Sequence, residues 1–299
     1  MSALIDALRQ RLSADRVITD ELRRLAYGTD GSFYRLIPEV VAVVNDEGEV
    51  RSVVELARQH QRTVTFRAAG TSLCGQAVTD GVLVLLGEGL ATCTISADGN
   101  TVQAGPAIIG AEVNRRLAPL GRKIGPDPAS INAAKIGGMA ANNSSGMCCG
   151  TAQNSYNTLA SIRVLLADGT LLDTGDSASV AAFKISHRSL LERLATLSAS
   201  VRADKALAQR IRSKYKIKNT TGYSLNALVD YSDPVDILAH LMIGSEGTLG
   251  FISRVTYQTV PDYAHKASSL AFFPDMDSAC RAVVGLKERP VDAVELLDR

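Results

Sequence analysis

The chain has 299 residues, 46% of them hydrophobic and 21% charged, with a formal net charge of +1. That length suffices for one large domain or two ordinary ones, and the composition is that of a soluble globular protein. So balanced a charge gives no field to recruit nucleic acid or an anionic membrane, and no apolar run is long enough to span a bilayer.

Residues 2–27 read as two short amphipathic helices, with Leu4, Ile5, Leu8 and Leu12 on one stripe. The start carries Asp and Arg with no apolar stretch, so no signal peptide is expected. VVAVV at 40–44 predicts a buried strand, 49–60 a helix through Val50, Val53, Val54, Leu56 and Ala57, and 63–67 another strand. Short strands are expected at 81–86, 91–96 and 101–105, an alternation that suits a small α+β lobe. A helix over about 109–120 follows, then a hairpin of 159–166 and 171–173 around the Asp168-Gly169 turn. Two helical segments are expected over about 178–212. The basic run Arg210, Arg212, Lys214, Lys216, Lys218 alternates with Ile211, Tyr215 and Ile217 and reads as a partly solvated face. After Pro261 the pattern predicts a strand at 267–273, a helix at 276–287 and a strand at 291–297, a unit too small to bury its own face.

The five cysteines at 74, 93, 148, 149 and 280 include no Cys-x-x-Cys pair. Neither a disulfide framework nor a metal site is suggested, and reducing cytoplasm is the expected compartment. The vicinal Cys148-Cys149 pair reads as two small hydrophobes.

Three segments lack bulk: TFRAAGTSLCGQA (65–77), GPDPASINAAKIGGMAANNSSGMCCG (125–150) and IGSEGTLGFIS (243–253). Core positions want volume and solvated loops usually carry charge; these have neither. Gly and small residues let backbone N–H groups approach an anionic oxygen, and Ser/Thr hydroxyls add donors. Tight turns and close helix packing explain one such loop; three point to a large polyphosphate ligand. The chain has no Gly-x-Gly-x-x-Gly opening a helix after its first strand, and no Gly-x-x-x-x-Gly-Lys-Ser/Thr, so the ligand is expected on neither a Rossmann nor a P-loop fold.

RAAGTSLCGQA, GPDPAS with IGGMAANNSSG, YSLNAL and IGSEGTLGFI, in that order, resemble the vanillyl-alcohol-oxidase-type (PCMH-type) flavoproteins. The nearest branch is the FAD-dependent D-lactate/glycolate dehydrogenases, whose long members carry a C-terminal iron–sulfur region. The resemblance covers about residues 38–261. It implies an α+β fold: a two-lobed PCMH-type FAD-binding domain with lobes at about 38–104 and 105–261. A helical segment (1–37) would precede it, and the start of an α+β cap domain (262–299) would follow.

It also implies FAD extended between the lobes. Ala68, Ala69, Gly70, Thr71 and Ser72, with Gly75 and Gln76, would cradle the diphosphate. Pro126, Asp127 and Ser130 would lie along the middle of the flavin. Gly137, Gly138, Asn142, Ser144, Ser145 and Gly146 would pack on the ribityl and diphosphate. Glu246, Gly247, Leu249, Gly250 and Ile252 would approach the adenine side. Arg67 either joins this set or caps its strand. Some relatives attach the flavin through a histidine in the first loop; this chain has Gly70 and no histidine nearby, so FAD would be noncovalent. His60, His187, His240 and His265 read as surface or packing residues.

The implied partners are a small-molecule 2-hydroxy acid and an electron acceptor such as an iron–sulfur region, a cytochrome or a quinone. Homo-oligomers and a site peripheral to the inner face of the membrane are compatible; nucleic acid is not expected. With the cap only begun, the chain alone is expected to hold flavin without turning over substrate, and no base is assigned. Other readings stay open: an oxidase or reductase of the same superfamily with another substrate, or a non-catalytic flavin or nucleotide-binding module.

Overall fold

The first lobe begins with α1 (Ala3–Arg11), β1 (Val17–Ile18) and α2 (Glu21–Tyr27), then alternates β2 (Val40–Val44), α3 (Glu47–Gln59), β3 (Val64–Arg67) and β4 (Val82–Leu86) in a computed structural model. The structure describes residues 3–220, 222–286, 289 and 291–297. The sheet order is β1-β2-β4-β3, with β2 and β3 both parallel to β4 and β1 antiparallel to β2. A parallel sheet is covered on both faces, which is why VVAVV and VLVLL are apolar throughout and do not alternate. Asp46 caps α3, accepting from the Glu49 N–H at 2.9 Å. Val50, Val53 and Ala57 of that helix, with Leu4 and Leu8 of α1, enter the core around Val44 and Val84. The helices read from sequence as a separate N-terminal segment therefore share this lobe's core, and β1 extends its sheet.

The second lobe opens with β5 (Cys93–Ile95), β6 (Thr101–Ala104), α4 (Gly110–Leu117), β7 (Arg122–Ile124) and α5 (Ile136–Ala141). It continues with β8 (Leu159–Leu165), β9 (Leu171–Asp173), α6 (Ser177–Ser186), α7 (Arg188–Ala203), α8 (Lys205–Lys214), α9 (Ala227–Asp230), α10 (Pro234–Met242) and β10 (Phe251–Pro261). Its sheet is β5-β6-β10-β8-β9, with β7 on the far end of β10 and every pair antiparallel. β5 and β6 thus belong to this sheet, whereas a lobe boundary near residue 104 would give them to the first. Their short alternating runs fit either sheet; the long partner β10, far away in sequence, decides. Leu165 and Phe251 cross into the first lobe's core, and the Phe251 ring lies 4.9 Å from that of Phe66.

Where two helical segments were expected, three form. His187 leaves helical geometry between α6 and α7. Asp204, extended at ψ 94, ends α7 and caps α8 by accepting from the Leu207 N–H. Beyond β10 only the helix appears, as α11 (Met276–Leu286). The strands expected at 267–273 and 291–297 do not form among the described residues. A strand needs a partner for its N–H and C=O groups, and neither segment has one here.

Candidate functional site

A cavity of about 610 Å³ opens between the lobes. Its first wall is the loop leaving β3, from which Ala68, Ala69, Gly70, Thr71, Ser72 and Gln76 line the space. Gly70 stands at φ +69, where a side chain would be strained, and the Ser72 hydroxyl hydrogen-bonds the Gln76 side chain.

The second wall is α5 with its flanks: Ser130, Lys135, Gly137, Gly138, Asn142 and Ser144. A Cβ on Gly138 would lie 3.1 Å from that of Ala68, and one on Gly137 would lie 2.6 Å from that of Pro106. The glycine pair therefore brings helix backbone against both the loop and Pro106, leaving a cradle that any larger residue would fill. The third wall holds Glu246, Gly247, Gly250 and Ile252. It is stitched to the end of α5, because the N–H groups of Gly244 and Glu246 donate to Ala140 and Ala141 at 3.1 and 2.9 Å.

Six of the residues named from sequence stand behind these walls. Gly75, at φ +78, faces Tyr34 and not the cavity. Pro126 is buried, and Asp127 turns its carboxylate to the N–H groups of Cys148 and Cys149, each at 3.1 Å. Gly146 is pressed so closely on Asp127 that no side chain fits. Ser145 donates to the Asn143 carbonyl, and Leu249 packs on the second lobe's core. None of His60, His187, His240 or His265 lines the cavity. His240 is a packing residue, stacked 3.9 Å from the Tyr231 ring.

Sequence reasoning passed over several lining residues, Thr220, Gly222 and Lys135 among them. Thr220 and Gly222 close the cavity from the segment after α8, where the Tyr215 hydroxyl donates to the Tyr223 carbonyl at 2.7 Å. Lys135 is the more consequential. Among the described residues lining the cavity it is the only cation, and Glu246 is the only carboxylate. Its Nζ donates to the Leu86 carbonyl at 3.0 Å, and burial pulls its pKa down against the pull of Glu88. The signal was present, since within 125–150 only Asp127 and Lys135 carry charge. Burial also pushes the Glu246 carboxyl up to about 7. The cavity is thus nearly neutral, lined largely by small residues, with a single half-buried ammonium to meet an anion.

The chain has the two-lobed α+β fold of PCMH-type FAD-binding domains. Residues 38–175 match the family described as FAD binding domain. Among curated relatives, the chain is 24% identical to D-2-hydroxyglutarate dehydrogenase of Escherichia coli K12, over 98% of this chain and 29% of that protein. It is 24% identical to glycolate oxidase subunit GlcD of Bacillus subtilis, over 87% and 45%. It is equally similar to D-lactate dehydrogenase of Archaeoglobus fulgidus, at 24% over 87% and 47%. The chain therefore spans less than half the length of each.

Solved structures share the fold, and two serve as examples. Alkyldihydroxyacetonephosphate synthase aligns at TM-score 0.57 and 17% identity, over 86% of this chain and 40% of that one. BBE-like 1 of Physcomitrella patens aligns at TM-score 0.57 and 13% identity, over 87% and 45%.

Proposed function

We propose that this chain is the FAD-binding part of a flavoenzyme that oxidises a D-2-hydroxy acid of the lactate, glycolate or 2-hydroxyglutarate class. The observation that carries the proposal is the meeting of three low-bulk segments on one cavity of about 610 Å³, within the range typical of ligand pockets. The substrate class is the one named for the relatives that align with most of this chain.

The residues fit the cofactor. Amides of the loop at 68–72 and the Ser72 hydroxyl would hold the diphosphate, with Lys135 supplying the one positive charge. Gly137 and Gly138 would let backbone lie against the chain of the cofactor. Gly247, Gly250 and Ile252 would meet its adenosine end. Bound FAD would supply a hydride acceptor at N5, chemistry that belongs to the cofactor. This chain's share is binding, orientation and exclusion of water. Electrons would then pass to an acceptor such as an iron–sulfur region, a cytochrome or a quinone.

The test is anaerobic mixing of flavin-loaded protein with glycolate and with each enantiomer of lactate and 2-hydroxyglutarate, following flavin absorbance. Bleaching by D-enantiomers or glycolate is expected of the whole enzyme of which this chain is part, and little or none of this chain by itself. A flavin that none of them reduces, but that a sugar or another alcohol does, would move the enzyme to a different substrate class.

A further inference from the structure

The loop at 68–77 has a difficulty of its own. Gly, Ala, Ser and Thr give it little side-chain volume with which to hold a shape, and such a backbone loses much conformational freedom when ordered. Donors aimed at a phosphate must nevertheless be in place before the ligand arrives if binding is to be tight. Something outside the loop has to hold it.

Residues 27–34 are placed to do so. None of them lines the cavity, yet they meet the loop along its length. At its start the Arg67 guanidinium donates from Nη1 to the carbonyls of Tyr27 and Thr29, at 3.1 and 2.6 Å. The same group lies against Gly70, where a Cβ would come within 2.6 Å of Nε. Next, the Gly31 N–H donates to the Gly70 carbonyl at 2.9 Å, and a Cβ on Gly31 would meet the Ser72 carbonyl at 2.9 Å. The Tyr34 ring covers Gly75, where a Cβ would lie 2.7 Å from Cδ2. At the far end Asp30 Oδ2 accepts from the Ala77 N–H at 3.3 Å, while Oδ1 accepts from the Ser32 N–H and hydroxyl at 2.8 and 2.5 Å.

We propose that residues 27–34 form a strap that shapes the 68–77 loop from behind, with Arg67 and Asp30 as positioning residues for a nucleoside diphosphate on the loop's other face. Arg67 and Asp30 pin the two ends, and Gly31 and Tyr34 press on the middle. Arg67 has no carboxylate within salt-bridge distance among the described residues, so its guanidinium is committed to backbone carbonyls. Burial lowers its pKa, opposed by Asp30 and Tyr27. Lysine could reach the carbonyls but could not lay a plane against Gly70. The inference rests on the 68–77 loop being part of the FAD cradle.

The test measures the FAD dissociation constant by fluorescence quenching, and thermal unfolding of the apoprotein, for wild type, Arg67→Met, Arg67→Lys, Asp30→Asn and a control. The control is Arg16→Met, which removes an ion pair with Glu49 in the same lobe, 2.6 Å long, away from the loop. Arg67→Met and Asp30→Asn are expected to weaken FAD by about 10-fold or more, with apoprotein unfolding shifted no further than in the control. Arg67→Lys is expected to recover part of the affinity. Asp30→Asn turns an amide donor towards the Ala77 N–H without changing volume, so it decides the matter if Arg67→Met fails to fold. Unfolding shifts like the control's with wild-type FAD affinity would overturn the strap. Wild-type protein that binds no FAD would instead overturn the cradle itself.

Discussion

The guanidinium of Arg163 on β8 grips the carboxylate of Glu47 on α3, with Nε and Nη2 donating at 2.7 and 2.9 Å. One residue belongs to the second lobe and the other to the first, so this two-pronged contact ties the walls of the cavity together. Nη1 of Arg163 reaches Asp173 at 3.3 Å, and Arg254 pairs with the same buried carboxylate.

Removing Arg163 should therefore loosen the lobes. Arg163→Met is expected to cost about 1–2 kcal/mol, because the pair is part-exposed and Asp173 keeps Arg254. Burial works against the Glu47 charge, but the hydrogen bonds from Arg163 and Ser253, with the charges of Arg163 and Arg254, together outweigh it and hold the carboxyl below its ordinary 4.5. The stabilisation is then present above pH 4.5 and lost as pH falls through the depressed folded value. Urea unfolding at pH 7 and pH 3 checks this. The gap between wild type and variant should be wider at pH 7 than at pH 3.

Glu246 should give the opposite slope. Its folded pKa of about 7 lies above the ordinary 4.5, so between those values the folded protein keeps a proton that the unfolded chain has released. Stability is full below pH 4.5 and falls as pH rises through 7. Glu246→Gln should remove that slope, so the variant gains melting temperature over wild type at pH 8 and not at pH 4. FAD affinity should follow the same trend, since an ionised carboxylate in the cavity repels the diphosphate.

A carboxylate placed in the first loop tests the phosphate site directly. Ser72→Asp should abolish FAD binding while circular dichroism and unfolding stay near wild type, because Ser72 lines the cavity. Gly75→Asp would be a poorer test, since that position carries φ +78 and has the Tyr34 ring in the way. Lys135→Met should weaken FAD by about 10-fold through loss of a charge-assisted contact. Equilibrium titration of the apoproteins decides both, and stoichiometric flavin in the Ser72 variant would remove this loop from the phosphate site.

The cofactor should be FAD and noncovalent. Gly70 cannot bond a flavin, and none of the four histidines reaches the cavity. Acid precipitation should release all of the chromophore, and chromatography should identify it as FAD. Colour remaining in the pellet would point to Cys74, which lines the cavity.

Much of this was legible beforehand, and the places where it was not share one cause. Alternating or unbroken apolar runs are local signals, so β2, α3, β4 and the β8–β9 hairpin could be read directly. The three cradle segments were equally plain, because absence of bulk between confident elements is also local. Which sheet β5 and β6 join was not plain, since that depends on pairing with β10, some 150 positions away. The strands expected at 267–273 and 291–297 do not form because a strand also depends on a distant partner, and neither segment has one among the described residues.

At the site, the amino-acid sequence by itself determined what kind of surface would be offered: glycines and hydroxyls where backbone donors must reach an anion. Only the tertiary structure decided which of those residues face the cavity. Ser72 and Gly138 do, while Gly75 and Gly146 are small because Tyr34 and Asp127 press on them from behind. It also brought in Lys135 and set residues 27–34 against the loop. A glycine looks the same in sequence whether a cofactor or a neighbouring side chain needs the space, and only the packing of distant segments tells the two apart.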